Sequence, residues 1–371
     1  MTVDVIFLDE AGQVSAEQLS ILEIILRKLR KSELPFGGVL ILGSMDHTQT
    51  HPVNATPFLL SLLILTTFTL VQLKESVRAA RGARFCEFQS LTRENPHVLM
   101  GDPDKKTRFF QLMDIFEYAN DWNSQKIKPH MARMFARKQK VKSATALYTD
   151  SFIVQLKSDP YSPPYHVSQA VDHQVRHGTA GDYKHASDAT TASLNINLRE
   201  PEQLVLFPRC VYECTTNDPN FQYSQSNLAL LVDMPPQDVL DNFGRFPVWI
   251  APANTQFVNF LEDGSQFPNK DQLRRWNWTE VHIGIAPERN VIVRGGYHAR
   301  RKQYSLKHTG ALTINKGQGA TIPQGLALEC SSNKTCPWQK EQVVVAFSRT
   351  KSSKAMVIVG EKSWAAKKYG S

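Results

Sequence analysis

The sequence predicts an α/β protein that contains a doubly wound parallel sheet. Residues 3–8 and 39–42 are short apolar runs, as expected for buried parallel strands. Between them, residues 15–31 place leucine and isoleucine three or four positions apart, which is the spacing of an amphipathic helix. Polar residues follow each predicted strand, so these three elements make up half of such a sheet.

Two adjacent carboxylates, Asp9 and Glu10, follow the first predicted strand. In α/β folds the ligand lies beyond the carboxyl ends of the strands, so a carboxylate at this point can face a bound nucleotide. Asp9 would hold Mg²⁺ through water, and Glu10 would orient or deprotonate the attacking water. The structural alternative is a polar strand end followed by a helix cap, and an isolated Asp-Glu pair leaves both open.

Composition indicates a globular chain with excess positive charge. Of 371 residues, 42% are hydrophobic and 21% are charged, and 43 Lys and Arg outnumber 35 Asp and Glu by 8. This length suffices for two or three domains. The charge favours a polyanionic partner. The five cysteines have no companion histidines at zinc-site spacing, which indicates reduced structural thiols.

An apolar stretch at residues 57–73 raises the question of a membrane span. Polar residues interrupt it, and its unbroken apolar pieces are too short to cross a bilayer. We interpret it as a buried helix followed by a strand. No signal peptide opens the sequence, so we expect an intracellular protein that does not associate with a membrane.

The remainder of the chain changes character several times. Residues 77–150 are helical in character, and residues 159–197 are the most loop-like. Residues 204–298 alternate short strand-like runs with turns, which predicts a small β-rich module such as a barrel. The last block returns to buried-strand runs at residues 312–314, 343–347 and 356–359.

Four further stretches match an ordered set of motifs. GSMDHTQ ends at Gln49, KESVR ends at Arg78, TINKGQGAT runs from Thr313 to Thr321, and VVVAFSR ends at Arg349. With the N-terminal DEAGQ, they resemble the superfamily 1 DNA helicases of the RecD and petite-integration-frequency type, in that family's order and over almost the whole chain. The resemblance implies tandem RecA-like motor domains of the P-loop NTPase class, the first of them partial, with a small β-barrel-like insert in the second.

The resemblance implies a role for each polar residue of the first motor domain. Asp9 and Glu10 match the Mg²⁺ carboxylate and the carboxylate that activates water, and Gln13 closes the same motif beside the nucleotide. Gln49 matches a glutamine that senses the γ-phosphate and couples it to the DNA track. The Gly-Asp pair of the family's motif is Gly-Ser here, with Asp46 displaced along the loop.

Two arginines, Arg78 and Arg349, match residues that reach the γ-phosphate from the second motor domain. Each would neutralise charge on the transferring phosphoryl group only when the cleft closes, which would link hydrolysis to domain movement. Taken alone, Arg349 would be interpreted as a solvated arginine at the end of a strand.

The TINKGQGAT motif is implied to contact both ligands. Thr313, Lys316 and Gln318 are expected at the nucleic acid, and Gly319 and Thr321 at the nucleotide. Asparagine at position 315 and glycine at position 317 stand where histidine and serine are common in the family. Without the resemblance, the two glycines of this motif would indicate a turn.

The resemblance also implies domain boundaries and ligands. Residues 1–73 would be the partial first motor domain, 74–203 and 311–371 the second, and 204–310 the insert. ATP and Mg²⁺ would bind between the motor domains, and single-stranded DNA would cross both, with RNA not excluded. Three tryptophans of the insert offer stacking faces for bases or fill its core, and the residues alone leave both open: Trp249, Trp276 and Trp278.

A phosphate-binding loop of the form GxxxxGK[ST] does not occur in the sequence. We therefore expect an N-terminal segment, missing here, that is needed for activity, and we expect this chain alone to bind ATP poorly. The chain would then be a fragment, or a decayed copy, of an ATP-dependent DNA helicase. The alternatives are a non-enzymatic nucleic-acid-binding module and a basic α/β scaffold with chance matches. A eukaryotic protein of DNA metabolism would lie in the nucleus or mitochondrion.

Overall fold

The structure is a computed structural model of the chain. It describes residues 3–52, 54–73, 82–128, 131–136, 153–154, 156–158, 164–176, 182–252, 255, 268–293, 295–322, 325–331, 336–337 and 339–364.

The N-terminal unit forms the predicted strand, helix and strand. Strands β1 (Val5–Leu8) and β2 (Leu40–Gly43) pair in parallel, and helix α1 (Ala16–Arg30) connects them. Ser15 is the N-cap of helix α1. Its hydroxyl accepts a hydrogen bond from the backbone N–H of Gln18, and the Gln18 side chain accepts one from the backbone N–H of Ser15. This reciprocal cap fixes the start of the helix directly after the turn that follows β1.

One face of this two-stranded sheet is open, which corrects the expectation of two fully buried strands. Its inner face packs on α1. Four apolar side chains of the opposite face are each between 47% and 63% exposed: Val5, Phe7, Leu40 and Leu42. They share a face because Val5 lies opposite Leu40 and Phe7 opposite Leu42 in the register. We call these four residues the open face.

The stretch 57–73 differs from its predicted helix and strand. A short helix, α2 (Leu62–Thr67), has no buried residue, and no strand follows it within residues 68–73. Leu70 and Leu73 are almost fully exposed, so the expected burial does not occur. The described part of the chain contains no helix with the length and apolar character needed to cross a bilayer.

Three helices and two strands occupy the next described region. Helices α3 (Ala83–Arg93), α4 (Pro96–Gly101) and α5 (Pro103–Leu112) confirm the helical prediction to residue 112. Strands β3 (Glu117–Ala119) and β4 (Ala132–Phe135) then replace the predicted helix. Much of the remaining stretch to residue 150 lies outside the described residues.

A stretch predicted to consist of loops, residues 159–197, contains regular elements where the structure describes it. They are β5 (His166–Gln169), β6 (Val171–Arg176), β7 (Lys184–His185) and helix α6 (Asp188–Asn197). The strands are short and polar, which is why no apolar alternation marked them in the sequence.

A β-rich module follows, as predicted. Its strands are β8 (Gln203–Leu206), β9 (Cys210–Cys214), β10 (Leu228–Leu231), β11 (Phe246–Ile250), β12 (Thr279–Ile283), β13 (Val291–Val293), β14 (Tyr297–Lys302) and β15 (Leu306–His308). Two short helices, α7 (Gln237–Asp241) and α8 (Lys270–Arg275), lie between them. The sheet orders are β12-β11-β10-β9-β15, β13-β14-β6-β7 and β5-β8, so β5 to β7 pair with strands of this module.

Two tryptophans of the module fill its interior. Trp249 and Trp278 are buried with Leu230 and Leu273, while Trp276 is half-exposed. Trp249 and Trp278 therefore fill the core of the module and do not offer exposed faces to bases.

A five-stranded parallel sheet forms the second α/β unit. Its order is β16-β4-β17-β18-β3, with β16 (Ala311–Thr313), β17 (Leu326–Glu329) and β18 (Met356–Val359) from the C-terminal part of the chain. Helix α9 (Lys340–Phe347) packs on α3. The rings of Phe88, Phe116 and Phe347 meet with centroids 4.9–5.0 Å apart and join helices to sheet.

The predicted strand at residues 343–347 is wrong, because these residues belong to α9. Every residue of this helix from Gln342 to Phe347 is buried. A helix that is buried on all sides shows no apolar periodicity, so a short run of β-branched residues cannot be distinguished from a buried strand.

Candidate functional site

The turn after β1 meets the loop after β16 through a side-chain contact. Gln318 Nε2 donates to Glu10 Oε2 at 3.2 Å. The Thr50 hydroxyl donates to Gln318 Oε1, so one amide binds residues that follow both strands of the N-terminal unit. The structure thus brings together Glu10 and Gln318, two residues that the sequence assigned to different ligands.

The backbone at Glu10 is left-handed, with φ 52° and ψ 42°. Such a conformation costs a residue with a side chain roughly 1–2 kcal/mol. The turn is stabilised by the hydrogen bond that Ala11 N–H donates to Ser44 O at 2.8 Å. Gly319 also has positive φ, at 77°, and a Cβ on it would lie 3.4 Å from Glu10 Oε1. The added Cβ would fit at this distance, so it is the left-handed backbone that favours glycine at this position.

Asp9 lies at the exposed end of β1. Its Oδ1 accepts from the Ser44 hydroxyl at 2.7 Å and from the backbone N–H of Glu10 at 3.0 Å. Among the described residues, no group of three or more histidine, cysteine or acidic side chains is arranged to hold a metal ion. The arrangement at Asp9 fits a cation held through water by one or two carboxylates, as is common for Mg²⁺ at phosphates.

Gln49 is buried, and its two amide atoms differ. Its Nε2 donates to Asp46 Oδ2 at 3.1 Å, whereas its Oε1 is buried and has no hydrogen-bond partner within the described part of the chain. A buried acceptor without a donor is costly, so a ligand or water that donates to it would be stabilised.

Asp46 binds an arginine that sequence reasoning missed. The Arg93 guanidinium donates to Asp46 Oδ2 at 3.2 and 3.3 Å. Burial raises the pKa of the Asp46 carboxyl, but hydrogen bonds from Thr48 and Gln49 and the charge of Arg93 more than offset this, so the pKa lies below its usual value. The displaced aspartate of the GSMDHTQ motif therefore ties the N-terminal unit to the end of α3.

Arg349 lies beneath the TINKGQGAT loop. Its guanidinium is buried and donates to the carbonyls of Ala320 at 3.1 Å and Gly317 at 3.3 Å, and its Nε donates to Val345 O at 2.9 Å. In this geometry Arg349 supports the loop from below. The other predicted arginine, Arg78, lies outside the described residues.

Lys316 points to the β-rich module. Its Nζ donates to Glu213 Oε2 on β9, and its backbone N–H donates to the Thr313 hydroxyl at 3.3 Å. Thr321, at the end of the same loop, is buried. Of the predicted nucleic-acid contacts, Lys316 therefore binds Glu213 of the β-rich module, whereas Gln318 binds Glu10 of the N-terminal unit.

A cavity of about 360 Å³ lies beside these contacts. Gln13, Thr50 and His51 line it from the N-terminal unit, and Asn315 and Gln318 line it from the loop after β16. Gln13 therefore lies at the boundary that the Glu10–Gln318 contact bridges.

Comparisons with known proteins agree with this architecture. No protein-family model matches the chain. The curated ATP-dependent DNA helicase Pif1 of Bdellovibrio bacteriovorus is 22% identical over 366 residues, which cover 96% of this chain and 66% of that protein. The chain therefore spans about two thirds of the length of this relative.

Solved structures give the same result. Pif1 helicase from Candida albicans matches with a TM-score of 0.56 and 18% identity over 97% of this chain and 73% of that one. Pif1 from Bacteroides in complex with ADP-AlF3 and ssDNA matches with a TM-score of 0.56 and 16% identity, covering 96% and 70%. Bacteroides Pif1 bound to ssDNA matches with a TM-score of 0.55 and 15% identity, covering 97% and 72%.

The fold is that of RecA-like motor domains with a β-rich insert, and the N-terminal unit contributes only two described strands to it. Within that class, the chain has the fold of Pif1 helicases, which confirms the resemblance to superfamily 1 helicases of the petite-integration-frequency type.

Proposed function

We propose that this chain is part of an ATP-dependent DNA helicase, in which ATP hydrolysis drives translocation on single-stranded DNA and duplex unwinding. The observation that carries the proposal is the contact of Gln318 with Glu10 and Thr50, which connects a carboxylate strand end to the loop of the second α/β unit. The similar proteins support it, since they include an ATP-dependent DNA helicase and a Pif1 complex with ADP-AlF3 and ssDNA.

ATP with Mg²⁺ would supply the phosphoryl group and the charge of the metal in this cleft. Asp9 would hold the metal through water, because its carboxylate is exposed at the strand end. Glu10 would accept the proton of the attacking water, and the unpartnered Oε1 of Gln49 would accept a hydrogen bond from the same water. Gln13, Gly319 and Thr321 would border the nucleotide.

Coupling would run through the loop after β16. Thr313, Lys316 and Gln318 would contact the single strand, and Gln318 also binds Glu10, so a shift of this loop would change the surroundings of the proposed base. Arg349 would reach the γ-phosphate only after exchanging its hydrogen bonds to the loop carbonyls, and Arg78 would do so from the preceding segment.

The domain boundaries are part of the proposal. The sequence motifs predict motor segments at 1–73, 74–203 and 311–371 and an insert at 204–310. The pairing of β5 with β8 and of β6 with β14 supports an earlier start of the insert, near residue 164.

Activity would require a further α/β segment that carries a phosphate-binding loop. The 371 residues contain no such loop, and the open face supports the proposal because parallel sheets are normally covered on both faces. We expect the purified chain to hydrolyse ATP only at background rate. A robust ATPase rate from this chain alone would contradict this requirement.

The alternative function is a non-enzymatic nucleic-acid-binding module derived from a helicase. The burial of Arg349 beneath its loop favours it, because this arginine is engaged in structural hydrogen bonds. In a eukaryote, either protein would act in the nucleus or mitochondrion.

Single-strand DNA binding across a salt series, with and without ATP and Mg²⁺, tests the proposal. We expect affinity that falls steeply with salt, because phosphate contacts release counterions. We expect this binding to be independent of ATP, because the chain lacks a phosphate-binding loop, and a change of affinity with ATP would contradict the need for a further segment. In a longer chain that carries the loop, ATP hydrolysis that Glu10→Gln abolishes would favour the helicase, and DNA binding without hydrolysis would favour the module. An absence of salt-dependent binding would rule out both, and RNA of the same sequence tests the choice of nucleic acid.

A further inference from the structure

A buried carboxylate lies between the β-rich module and the TINKGQGAT loop. Glu213 on β9 is only 5% exposed. Its Oε1 accepts from the Ser226 hydroxyl at 3.1 Å and lies 3.5 Å from Lys307 Nζ, while its Oε2 accepts from Lys316 Nζ. Lys307 lies opposite Glu213 in the register of β15 and β9, whereas Lys316 comes from the loop of the parallel sheet.

The charge of Glu213 is stabilised by its neighbours. Burial raises its pKa, but Lys307, Lys316 and the Ser226 hydroxyl more than offset this, so the pKa lies below its usual value. A buried carboxylate of this kind needs a cation at all times, because the uncompensated charge would be costly.

The two partners of the Glu213–Lys316 ion pair differ in exposure. The Glu213 side chain is 6% exposed, and the Lys316 side chain is 45% exposed. Lys316 can therefore turn to an anion in solvent while Glu213 stays in place. Glu213 would keep Lys307 and Ser226, so the exchange would leave no buried charge alone.

We propose that Glu213 is a positioning residue that competes with a DNA backbone phosphate for Lys316. Without DNA, the pair ties the TINKGQGAT loop to the β-rich module. A phosphate of the single strand takes over Lys316 and releases the loop from the module. This inference rests on the proposed function, because it requires that the single strand reaches Lys316.

The local geometry would pass this exchange to the candidate site. Lys316 and Gln318 are two positions apart in a tight turn, in which Gly317 N–H donates to Thr313 O at 3.0 Å. Gln318 contacts Glu10 at the other side of the loop. A shift of Lys316 towards DNA would therefore move the side chain that binds the proposed base.

Single-strand DNA binding by Glu213→Gln tests the competition. We expect a gain in affinity of about fivefold, the equivalent of roughly 1 kcal/mol for the loss of a competing ion pair. The matched control is Glu288→Gln, which removes the same charge from a module residue that pairs with Arg300 at 2.9 Å. It should bind DNA within twofold of the unmodified chain.

The double variant Glu213→Gln with Lys316→Ala separates competition from a general charge effect. We expect the gain to vanish when Lys316 is absent. A gain that persists in this background, or one that Glu288→Gln reproduces, would overturn the inference.

A conservative variant provides a second test in case Glu213→Gln does not fold, which circular dichroism would show. Glu213→Asp keeps a negative charge on β9 opposite Lys307 but shortens the side chain that reaches Lys316. It should therefore give a smaller gain that also depends on Lys316. Unchanged affinity in this variant would overturn the inference where Glu213→Gln does not fold. If the unmodified chain binds DNA and neither variant gains affinity, only the proposed competition is contradicted. If the unmodified chain does not bind DNA at all, the proposed function is contradicted as well.

Discussion

Arg93 and Asp46 form an ion pair that joins the N-terminal unit to helix α3. The guanidinium contacts Asp46 Oδ2 at 3.2 Å, and Lys340 Nζ donates to the carbonyl of Arg93 at 2.6 Å. Helix α3 thus binds the polar turn after β2, and Lys340 of α9 binds the end of α3. Gln49 hydrogen bonds to the same carboxylate oxygen of Asp46 as Arg93 does.

Arg93→Ala should weaken the chain at this junction. Both side chains are partly exposed, so we expect a loss of about 1 kcal/mol in the free energy of unfolding rather than the larger value of a fully buried pair. Urea denaturation measures it. Lys362→Ala, which removes an exposed pair with Asp114, is the control and should change stability by less than about 0.5 kcal/mol. Equal losses in the two variants would show that Arg93 has no special role.

Gln318→Glu should oppose the contact between the two loops. The new carboxylate would face the Glu10 carboxylate, which now accepts from Gln318 Nε2. We expect it to destabilise the chain by roughly 1 kcal/mol, since a like charge replaces a hydrogen bond. Gln318→Ala removes the same contact without adding charge, and it should cost less. Denaturant titration compares them, and a smaller loss for glutamate than for alanine would contradict the observed proximity.

Gly319→Ala should be destabilising because of its backbone conformation. The backbone φ of 77° is unfavourable for alanine, whereas the added Cβ would make only an ordinary contact, 3.4 Å from Glu10 Oε1. We expect a loss of about 1–2 kcal/mol. Gly101→Ala is the matched control, because Gly101 ends helix α4 and a Cβ there meets nothing within 4 Å. Thermal unfolding should separate the two, and equal melting temperatures would refute the assignment.

His308 should make the module sensitive to acid. Burial lowers the pKa of this imidazole to about 4, and its Nε2 lies 2.7 Å from Val205 O. The unfolded chain binds a proton near pH 6.5 and the folded chain only near pH 4, so stability falls as the pH falls between these values. From pH 7 to pH 5 the contribution lost is about 2 kcal/mol.

Denaturant titrations at pH 7 and pH 5 test this dependence. His308→Asn cannot titrate, so its stability relative to the unmodified chain should improve as the pH falls. The same pH dependence in both proteins would assign the effect to other groups.

Sequence patterns predicted the N-terminal unit well because its information is local. The spacing of leucines in α1 and the carboxylates after β1 lie within one stretch of chain. The same reasoning failed at α9, where continuous burial hides the helical period.

Local sequence patterns could not predict the contacts that define the site. Arg93 is 47 positions from Asp46, and Lys316 is 103 positions from Glu213. No local spacing specifies such pairs, because the sheets decide which distant residues meet. The motif order indicated which loops matter, while the direction of Lys316 and the burial of Arg349 required the three-dimensional arrangement.

The open face has a consequence for the behaviour of the chain in solution. Val5, Phe7, Leu40 and Leu42 form an apolar surface on a two-stranded sheet, next to strand edges whose backbone groups have no further strand partner among the described residues. Such a surface favours aggregation between copies of the chain. The open face would therefore lower the colloidal stability of the chain: light scattering should increase with protein concentration, and replacing Phe7 with lysine should reduce it.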